Sequence, residues 1–313
     1  MCKCLYCYKD LEQGQVDFHP SCARRMFGMN TAPGMDYTRR DMDRLAAEVI
    51  QSQTTLTGVQ AKLSLNLTKH EGTKRLTIVG LWGQYIFKPQ TEDYEQLPEV
   101  EDLTMHLAED AKMPVARHSL IRLADGSLGY ITKRFDRDAK GGKIAMEDMC
   151  QLAERKTEDK YKSSYEQVAK MISRYSSVPR LDLTNFFELL LFCWITGNND
   201  MHLKNFSLYC SKSQYVLTPA YDLVNAALVN PQDKEELALT LNGKKSRIKL
   251  QDFIQAAERM GLTEKFVKQT VERFCRFLPV WQQTISRSFL SDELKQGYVE
   301  MLQERLQRLK GNI

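Results

Sequence analysis

The 313-residue chain lacks an apolar run of the ~18 residues that a membrane-spanning helix needs. Its longest apolar stretch, residues 186–197, is interrupted by Glu188. The first residues, Met1-Cys2-Lys3-Cys4, also lack the apolar stretch of a secretory signal peptide. We therefore expect a soluble protein of the cytoplasm with no membrane partner.

The chain also lacks a large excess of charge of one sign, since 44 Lys and Arg residues against 40 Asp and Glu residues leave a formal net charge of +4. This balance excludes a polybasic tail as the main function, so any nucleic-acid binding would need a local basic patch. The apolar fraction of 42% and the charged fraction of 27% are ordinary for a folded globular protein. The length predicts one large or two modest domains.

Cysteine is abundant at the N terminus, although a disulfide framework is not expected without a secretion signal. Cys4-x-x-Cys7 and His19-x-x-Cys22 form two close pairs separated by eleven residues, a spacing that predicts a tetrahedral zinc site. Metal ligation would supply the folding free energy that so short a segment cannot obtain from a core of its own. Two alternatives stay open: the thiols bind no metal and the histidine lies near them by chance, or the Cys-x-x-Cys pair is a redox site. Cys2 is either a spare ligand or a free thiol.

Hydrophobic periodicity predicts a β-rich segment followed by a helical one. The predicted strands are 63–67, 76–79, 84–88, 115–123 and 128–132, with one short hairpin over 206–209 and 214–217. The predicted helices are 38–52, one beginning near Pro98, a buried helix at 186–195, and amphipathic helices at 250–260, 263–277 and 291–309.

The densest polar cluster follows the buried helix and contains Asp200, then Asn205, then Asp222 seventeen residues later, beyond the short hairpin. Phosphoryl-transfer enzymes of the protein-kinase type use this order of Asp, Asn and Asp. It predicts Asp200 as the base that accepts the proton of a hydroxyl nucleophile. Asn205 and Asp222 offer the hard oxygen ligands that Mg²⁺ prefers. His202 would orient the loop, and Lys204 could stabilise charge on the transferred phosphoryl group.

Asn and Asp clusters are also common in turns and at helix ends, so the cluster alone leaves a purely structural role open. Upstream parts favour the catalytic interpretation. Residues 54–62 form a candidate phosphate loop, with Gly58 for close backbone approach and Lys62 for charge. Lys88 ends a predicted strand and Glu101 opens the next helix, so the two could pair. An exposed lysine at a strand end is the alternative for Lys88.

Several segments together resemble the HipA-like family of bacterial serine/threonine kinase toxins, in the family's order throughout. The matching segments are 57–62, 87–89, 97–101, 132–137, 197–206, 219–223 and 237–244. The resemblance implies an α+β, two-lobed protein-kinase-like fold with a β-rich N-lobe and an all-helical C-lobe, here preceded by a small zinc-ribbon-like element. The expected domains are a Cys/His zinc module at 1–30, the N-lobe at 31–133 and the C-lobe at 134–313.

The resemblance also implies the site residues of an ATP- and Mg²⁺-dependent kinase. The segment from Lys133 to Phe135 would be the hinge whose backbone meets adenine. The expected ATP-binding residues are Thr57, Gly58, Val59, Gln60, Lys62, Lys88, Glu101, Lys133 and Phe135. Family members phosphorylate their own phosphate loop, for which the hydroxyls here are those of Thr55 and Thr57.

The family's targets are aminoacyl-tRNA synthetases, whose phosphorylation halts growth and connects the family with bacterial persistence. The implied partners are a HipB-like DNA-binding antitoxin, through which DNA would be met only indirectly, and for short HipT-type members a small HipS-like protein. Only about fifty residues precede the Gly58 segment, as in the short type. The Cys/His cluster with its structural Zn²⁺ is not part of the family's kinase core.

Two other functions stay open on sequence alone. The chain could be a catalytically inactive pseudokinase that binds nucleotide and acts through its zinc element. It could also be a different phosphoryl enzyme, either a small-molecule kinase or a hydrolase with Asp200, His202 and Asp222 as metal ligands.

Overall fold

The computed structural model describes residues 2–52, 62–70, 73–79, 83–138 and 140–311. No helix within these ranges is long and apolar enough to cross a membrane. The chain divides into two compact units, the first comprising Met1–Leu103, Ala116–Lys143 and Arg287–Leu290, and the second Thr104–Val115, Ile144–Ser286 and Ser291–Ile313. The three predicted domains, with boundaries after residues 30 and 133, stay a prediction. Outside the described residues lie Thr55, Thr57, Gly58, Val59 and Gln60.

The first unit begins with a tight turn and a short helix. Lys3 and Asp10 form an isolated antiparallel bridge around the turn. Helix α1, Pro20–Phe27, begins with a proline, which needs no hydrogen-bond partner at a first helical position. It ends at Gly28, whose φ of 74° lies in the left-handed region that glycine adopts without strain.

The first unit is built around a five-stranded antiparallel sheet of order β2-β1-β3-β5-β4. Its strands are β1 Leu63–His70, β2 Thr73–Ile78, β3 Tyr85–Lys88, β4 His118–Arg122 and β5 Leu128–Lys133. Helix α2, Arg39–Ser52, precedes the sheet, and helix α3, Leu97–Asp110, follows β3. The sequence predicted all five strands and both helices.

Strand β3 is fixed by its neighbours on both sides. Phe87 pairs with Leu63 of β1 and with Ile131 of β5, and it is fully buried. Its ring covers Gly129, where an added Cβ would lie 2.3 Å from the Phe87 Cε2 atom. The packing of Phe87 therefore needs glycine on β5, and it fixes the strand that ends at Lys88.

The second unit is mainly helical with one small sheet, of order β6-β7-β8. Its strands are β6 Met146–Asp148, β7 Ser207–Ser211 and β8 Gln214–Leu217. Its helices are α4 Met149–Leu152, α5 Tyr165–Tyr175, α6 Pro179–Ile195, α7 Ala226–Val229, α8 Leu250–Arg259, α9 Glu264–Arg287 and α10 Asp292–Lys310. The last seven residues of α3 also belong to this unit, whereas Arg287 at the end of α9 belongs to the first.

Helix α6 is the centre of the second unit, because it is apolar on all sides and buried along nearly its whole length. It begins at Pro179, seven residues before the predicted start. The sequence prediction started later because Asp182 interrupts the apolar run. In the structure this carboxylate is nevertheless buried, and it accepts hydrogen bonds from Ser176 Oγ at 2.6 Å and from the Leu217 amide at 2.8 Å.

Two other elements differ from the sequence prediction. The hairpin of β7 and β8 is present as expected, but β6 adds a third strand, so the C-terminal segment is not entirely helical. Helix α9 continues past Pro279 to Arg287, because the buried Trp281 and Ile285 anchor its last turns. Helix α10 agrees with the predicted helix at 291–309, and Ser291 is its N-cap, since the Ser291 hydroxyl accepts from the Leu294 amide at 3.3 Å.

Candidate active site

A buried ion pair joins β3 to α3 in the first unit. The Lys88 Nζ atom lies 2.6 Å from Glu101 Oε1 and 2.8 Å from Oε2. Their relative exposures are only 4% and 1%, which excludes the exposed-lysine alternative for Lys88. A charged pair at such depth is tolerated because each partner neutralises the other. The structure therefore brings these two predicted site residues together, and their role towards nucleotide stays a prediction.

In the second unit, hydrogen bonds shape the loop that follows α6. The Asn198 side-chain oxygen accepts from the Asp200 amide at 3.2 Å. The Asn205 amide nitrogen Nδ2 donates to the Asp200 carbonyl oxygen at 3.2 Å. Residues Leu203–Asn205 form a 3₁₀ turn, in which the Asn205 amide donates to the His202 carbonyl at 3.0 Å. These bonds hold Asp200 and Asn205 in one compact loop.

The segment that carries Asp222 is attached to the same loop. The Tyr221 hydroxyl donates to the Lys204 carbonyl oxygen at 2.9 Å and lies 2.7 Å from Ser207 Oγ. Tyr221 precedes Asp222 and Lys204 precedes Asn205, so this bond joins the two predicted magnesium-ligand segments. Asp222 itself has a φ of 61°, in the left-handed region that aspartate adopts more readily than most residues.

The donor set is suited to magnesium. Because the Asn205 amide nitrogen is used in its bond to Asp200, the amide oxygen is the atom that Asn205 would offer to a cation. Asp222 would add a carboxylate, and Mg²⁺ prefers oxygen ligands of this kind. Asn205 and Asp222 could therefore hold a magnesium ion together with the phosphates of a nucleotide.

Lys204 has a partner that the sequence did not single out. Its Nζ atom lies 2.7 Å from Asp148 Oδ2, and both side chains are partly buried. Asp148 also caps α4, because its Oδ1 atom accepts from the Gln151 amide at 2.9 Å. Lys204 is thus held at the junction of β6 and α4. Its predicted contact with a phosphoryl group would require it to leave or share this carboxylate.

Tyr161 is a second residue that sequence reasoning missed. Its hydroxyl donates to Asp200 Oδ1 at 2.6 Å, and its ring meets the His202 ring edge-on with centroids 5.1 Å apart. Burial and the charge of Asp200 raise the pKa of Tyr161 above its usual range, so the phenol keeps its proton. No local pattern marks this tyrosine, because tertiary structure alone brings it to Asp200.

The remaining predicted ATP-binding residues lie at the ends of strands. Lys62 is exposed and directly precedes β1. The Lys133 amide donates to the Arg117 carbonyl at 2.8 Å, so its N–H is used within the sheet. Burial and the nearby Arg117 lower the pKa of the Lys133 side chain. Phe135 is partly buried two residues further on. The adenine-binding role of Lys133 and Phe135 stays a prediction.

The four predicted zinc ligands come together in the first unit. One ligand atom from each of Cys4, Cys7, His19 and Cys22 lies within 4.8 Å of the corresponding atoms of the other three. Cys2 is exposed and does not belong to this group. The side chains present could therefore hold a metal ion.

Comparison with known proteins connects this geometry to one family. A family profile described as HipA-like C-terminal domain matches residues 54–281. A Haemophilus influenzae protein named Putative kinase is 26% identical over 266 residues, which cover 76% of this chain and 76% of that protein. Putative kinase Y4dM of Sinorhizobium fredii is 30% identical over 239 residues, or 70% of this chain and 58% of that protein.

Two solved structures share the fold. A chain from the Shewanella oneidensis MR-1 toxin–antitoxin complex of HipA, HipB and operator DNA matches with a TM-score of 0.68 and 21% identity, covering 85% of this chain and 71% of that one. The Helicobacter pylori proinflammatory kinase CtkA matches with a TM-score of 0.52 and 15% identity, covering 79% and 93%. At these identities the likeness concerns the fold. The predicted family and kinase-like fold class are thereby confirmed, and the zinc element stays a prediction.

Proposed function

Because the chain belongs to the HipA-like C-terminal domain family, we propose that it is an ATP- and magnesium-dependent serine/threonine protein kinase. The observation that carries this proposal is the loop in which Asp200, Asn205 and the segment of Asp222 are held by one set of hydrogen bonds. Two of its relatives carry the name Putative kinase, which agrees with this chemistry.

The chain's own residues divide the work of phosphoryl transfer. Asp200 accepts the proton of a serine or threonine hydroxyl as that oxygen attacks. Asn205 and Asp222 hold the magnesium ion, which neutralises charge on the phosphates when it is bound. Lys88 binds the phosphates of ATP, and Glu101 keeps its ammonium group in position.

The phosphate loop and the hinge complete the proposed nucleotide site. Lys62 and the loop of Thr57, Gly58, Val59 and Gln60 would cover the phosphates, and the backbone from Lys133 to Phe135 would meet adenine. Thr55 or Thr57 would be the site of autophosphorylation. The family resemblance supports these roles.

We further propose that the kinase is the toxin of a toxin–antitoxin pair and that its substrate is an aminoacyl-tRNA synthetase. The similar HipA was solved with HipB and operator DNA, which supports a HipB-like antitoxin as the partner and contact with DNA only through it. A small HipS-like protein is the second partner that the family resemblance suggests.

The test uses purified full-length protein, γ-labelled Mg-ATP and a panel of purified aminoacyl-tRNA synthetases. Label is expected on serine or threonine of one synthetase. Asp200→Asn should reduce the rate about 10²- to 10⁴-fold, the usual contribution of a general base. Label on tyrosine, or on none of the synthetases, would contradict the proposed specificity or substrate.

Asp292→Asn is the matched control for this experiment. It makes the same change at a fully exposed carboxylate in the first turn of α10, so its rate should equal that of the wild type. Tight binding of ATP without transfer to any protein would favour the pseudokinase alternative instead.

A further inference from the structure

The Cys/His cluster has the dimensions of a zinc site. Cys7 Sγ lies 3.5 Å and Cys22 Sγ 3.8 Å from His19 Nδ1. Zinc bonds of ~2.3 Å to sulfur and ~2.0–2.1 Å to nitrogen, at tetrahedral angles, place neighbouring ligand atoms about 3.5 to 3.8 Å apart. The two sulfur–nitrogen distances match these values, and all four ligand atoms lie within 4.8 Å of one another. None of the cysteines is in a disulfide, so the three sulfur atoms can bind a metal.

The surroundings of the cluster orient its histidine. His19 Nε2 lies 3.0 Å from the Asp10 carbonyl oxygen, which accepts a hydrogen bond from its N–H and leaves Nδ1 directed at the sulfur atoms. Such a hydrogen bond on the far ring nitrogen is typical of metal-binding histidine. A set of three thiolates and one imidazole is a usual one for structural zinc.

The turn of the cluster fixes the next residue, Tyr8. The Tyr8 amide donates to the Cys4 carbonyl at 2.9 Å, and the Cys4 amide donates to the Lys9 carbonyl at 2.8 Å. Tyr8 has a φ of 61°, an uncommon conformation that the closed turn maintains. Because Tyr8 directly follows Cys7 and is hydrogen-bonded to the Cys4 carbonyl, its backbone is part of the turn that carries two of the four ligands.

Tyr8 connects this turn to helix α3. Its hydroxyl donates to Asp102 Oδ2 at 2.6 Å, while His118 Nδ1 of β4 lies 2.7 Å from Asp102 Oδ1. All three side chains are almost completely buried. The Tyr8 ring also packs edge-on against Phe289, with centroids 5.4 Å apart. The carboxylate of Asp102 is therefore bound by His118 on one oxygen and, on the other, by Tyr8, the residue that follows the cluster ligand Cys7.

The neighbour of Asp102 in α3 is Glu101, the partner of Lys88. Successive residues of a helix move together, so a displacement of Asp102 displaces Glu101 and with it the Lys88 ammonium group. The cluster is also joined to the sheet, because the Leu5 carbonyl accepts from the Leu120 amide at 3.3 Å and from Ser119 Oγ at 3.2 Å.

We propose that Cys4, Cys7, His19 and Cys22 bind one zinc ion, which holds Tyr8 against Asp102 and thereby fixes the Glu101–Lys88 pair for nucleotide binding. Zinc occupancy then controls the affinity for ATP from a site outside the nucleotide pocket. The metal site stands on its own geometry, whereas its effect on ATP rests on the proposed function of Lys88.

The first experiment measures zinc in the purified full-length protein by elemental analysis, and then replaces it with Co²⁺. One zinc per chain is expected, together with the visible absorption of thiolate-bound tetrahedral cobalt. Cys22→Ser should lose both signals, whereas Cys2→Ser, the same change at the exposed cysteine outside the cluster, should keep both. Metal-free wild-type protein, or equal metal content in the two variants, would overturn the site.

The second experiment removes the connection but keeps the metal. Tyr8→Phe should retain one zinc, exchange the backbone amides of residues 100–103 about tenfold faster with deuterium, and bind Mg-ATP about three- to tenfold more weakly. Tyr215→Phe, which removes an exposed phenol hydroxyl, should match the wild type in zinc content, amide exchange and affinity for Mg-ATP. Unchanged exchange and unchanged affinity in Tyr8→Phe would overturn the coupling.

Lys88→Met separates this inference from the proposed function. It should abolish ATP binding and leave zinc in place. If Lys88→Met bound ATP normally, the proposed role of Lys88 would fail. Faster amide exchange in Tyr8→Phe would in that case still show that the cluster holds α3.

Discussion

Asp200, the proposed base, already accepts a short hydrogen bond from a phenol. A serine or threonine hydroxyl must donate to this carboxylate in order to lose its proton, so it would compete with the Tyr161 hydroxyl for Oδ1. Tyr161 thus already donates to one oxygen of the carboxylate that the substrate hydroxyl would need.

Removing the Tyr161 hydroxyl should therefore favour the substrate. Tyr161→Phe keeps the ring that meets His202 and removes the competing donor. A hydrogen bond contributes about 0.5–1.5 kcal/mol net, so we expect kcat/KM for phosphoryl transfer to rise by about two- to tenfold. Steady-state kinetics with the protein substrate would show this as a lower KM.

Tyr175→Phe is the matched control, since it changes a partly exposed tyrosine at the end of α5 and should leave the rate unaltered. A fall in kcat for Tyr161→Phe would show instead that the phenol positions the base.

Glu99 makes the stability of the protein depend on pH. Burial, together with the nearby charge of Asp102, raises the pKa of Glu99 from 4.5 to about 7. Its Oε2 atom is buried and has no hydrogen-bond partner among the described residues. The unfolded chain loses the Glu99 proton near pH 4.5, whereas the folded protein keeps it up to about pH 7. Between these pH values the folded state therefore binds more protons than the unfolded state. The free energy of unfolding therefore falls as pH rises through this window.

Glu99→Gln should remove this pH-dependent fall in the free energy of unfolding. The shift corresponds to about 3 kcal/mol at pH 8, so the variant should be more stable than the wild type by up to this amount there and nearly equal to it at pH 4.5. Chemical denaturation at the two pH values gives the comparison. A wild-type advantage at pH 8 would contradict the buried, proton-binding carboxyl.

At the scale of secondary-structure elements, the end of α6 positions the loop that contains Asp200 and Asn205. Gly197 has a φ of 73°, and its carbonyl accepts from the Ala227 amide at 3.0 Å. An added Cβ at this position would lie 2.4 Å from Asn225 Oδ1 and 2.4 Å from Met301 Sδ. Only glycine fits between α6 and the segment that follows Asp222.

Gly197→Ala should therefore destabilise the loop as well as the fold. Left-handed strain and the two close contacts together are expected to lower the free energy of unfolding by about 2–4 kcal/mol and to reduce phosphoryl transfer at least tenfold. Gly261→Ala is the matched control, because its φ is 78° but no atom lies within 4 Å of the added Cβ. That control should lower the free energy of unfolding by only about 1 kcal/mol. An equal decrease for both variants would contradict the role of the two close contacts at Gly197.

Elements with a strong local signal were predictable from the sequence. The five strands of the first unit show clear alternation, and the predicted helices at 250–260 and 291–309 agree with α8 and α10 within one residue at each end. Strand β6 was missed because three residues carry no periodicity, and its pairing with β7 is distant in sequence. The start of α6 was missed because the buried Asp182 has hydrogen-bond partners that the sequence does not reveal.

At the scale of the whole molecule, the order of the motifs was the predictable property. The family profile spans residues 54–281, and the residues proposed to handle phosphate occur in both compact units. Tyr161, Asp148 and Asp102 were not predictable, because tertiary contacts alone bring them to Asp200, Lys204 and Tyr8. A linear pattern identifies residues that carry chemistry, whereas the residues that position them require the structure.

The most direct measurement of the central claim is the intact mass of the full-length protein after incubation with Mg-ATP, with Asp200→Asn treated in parallel. We predict that the wild type gains phosphate, that peptide mapping places it on Thr55 or Thr57, and that Asp200→Asn gains none. Equal phosphate on both proteins would contradict the assignment of Asp200 as the base, and phosphate on neither would contradict the kinase account.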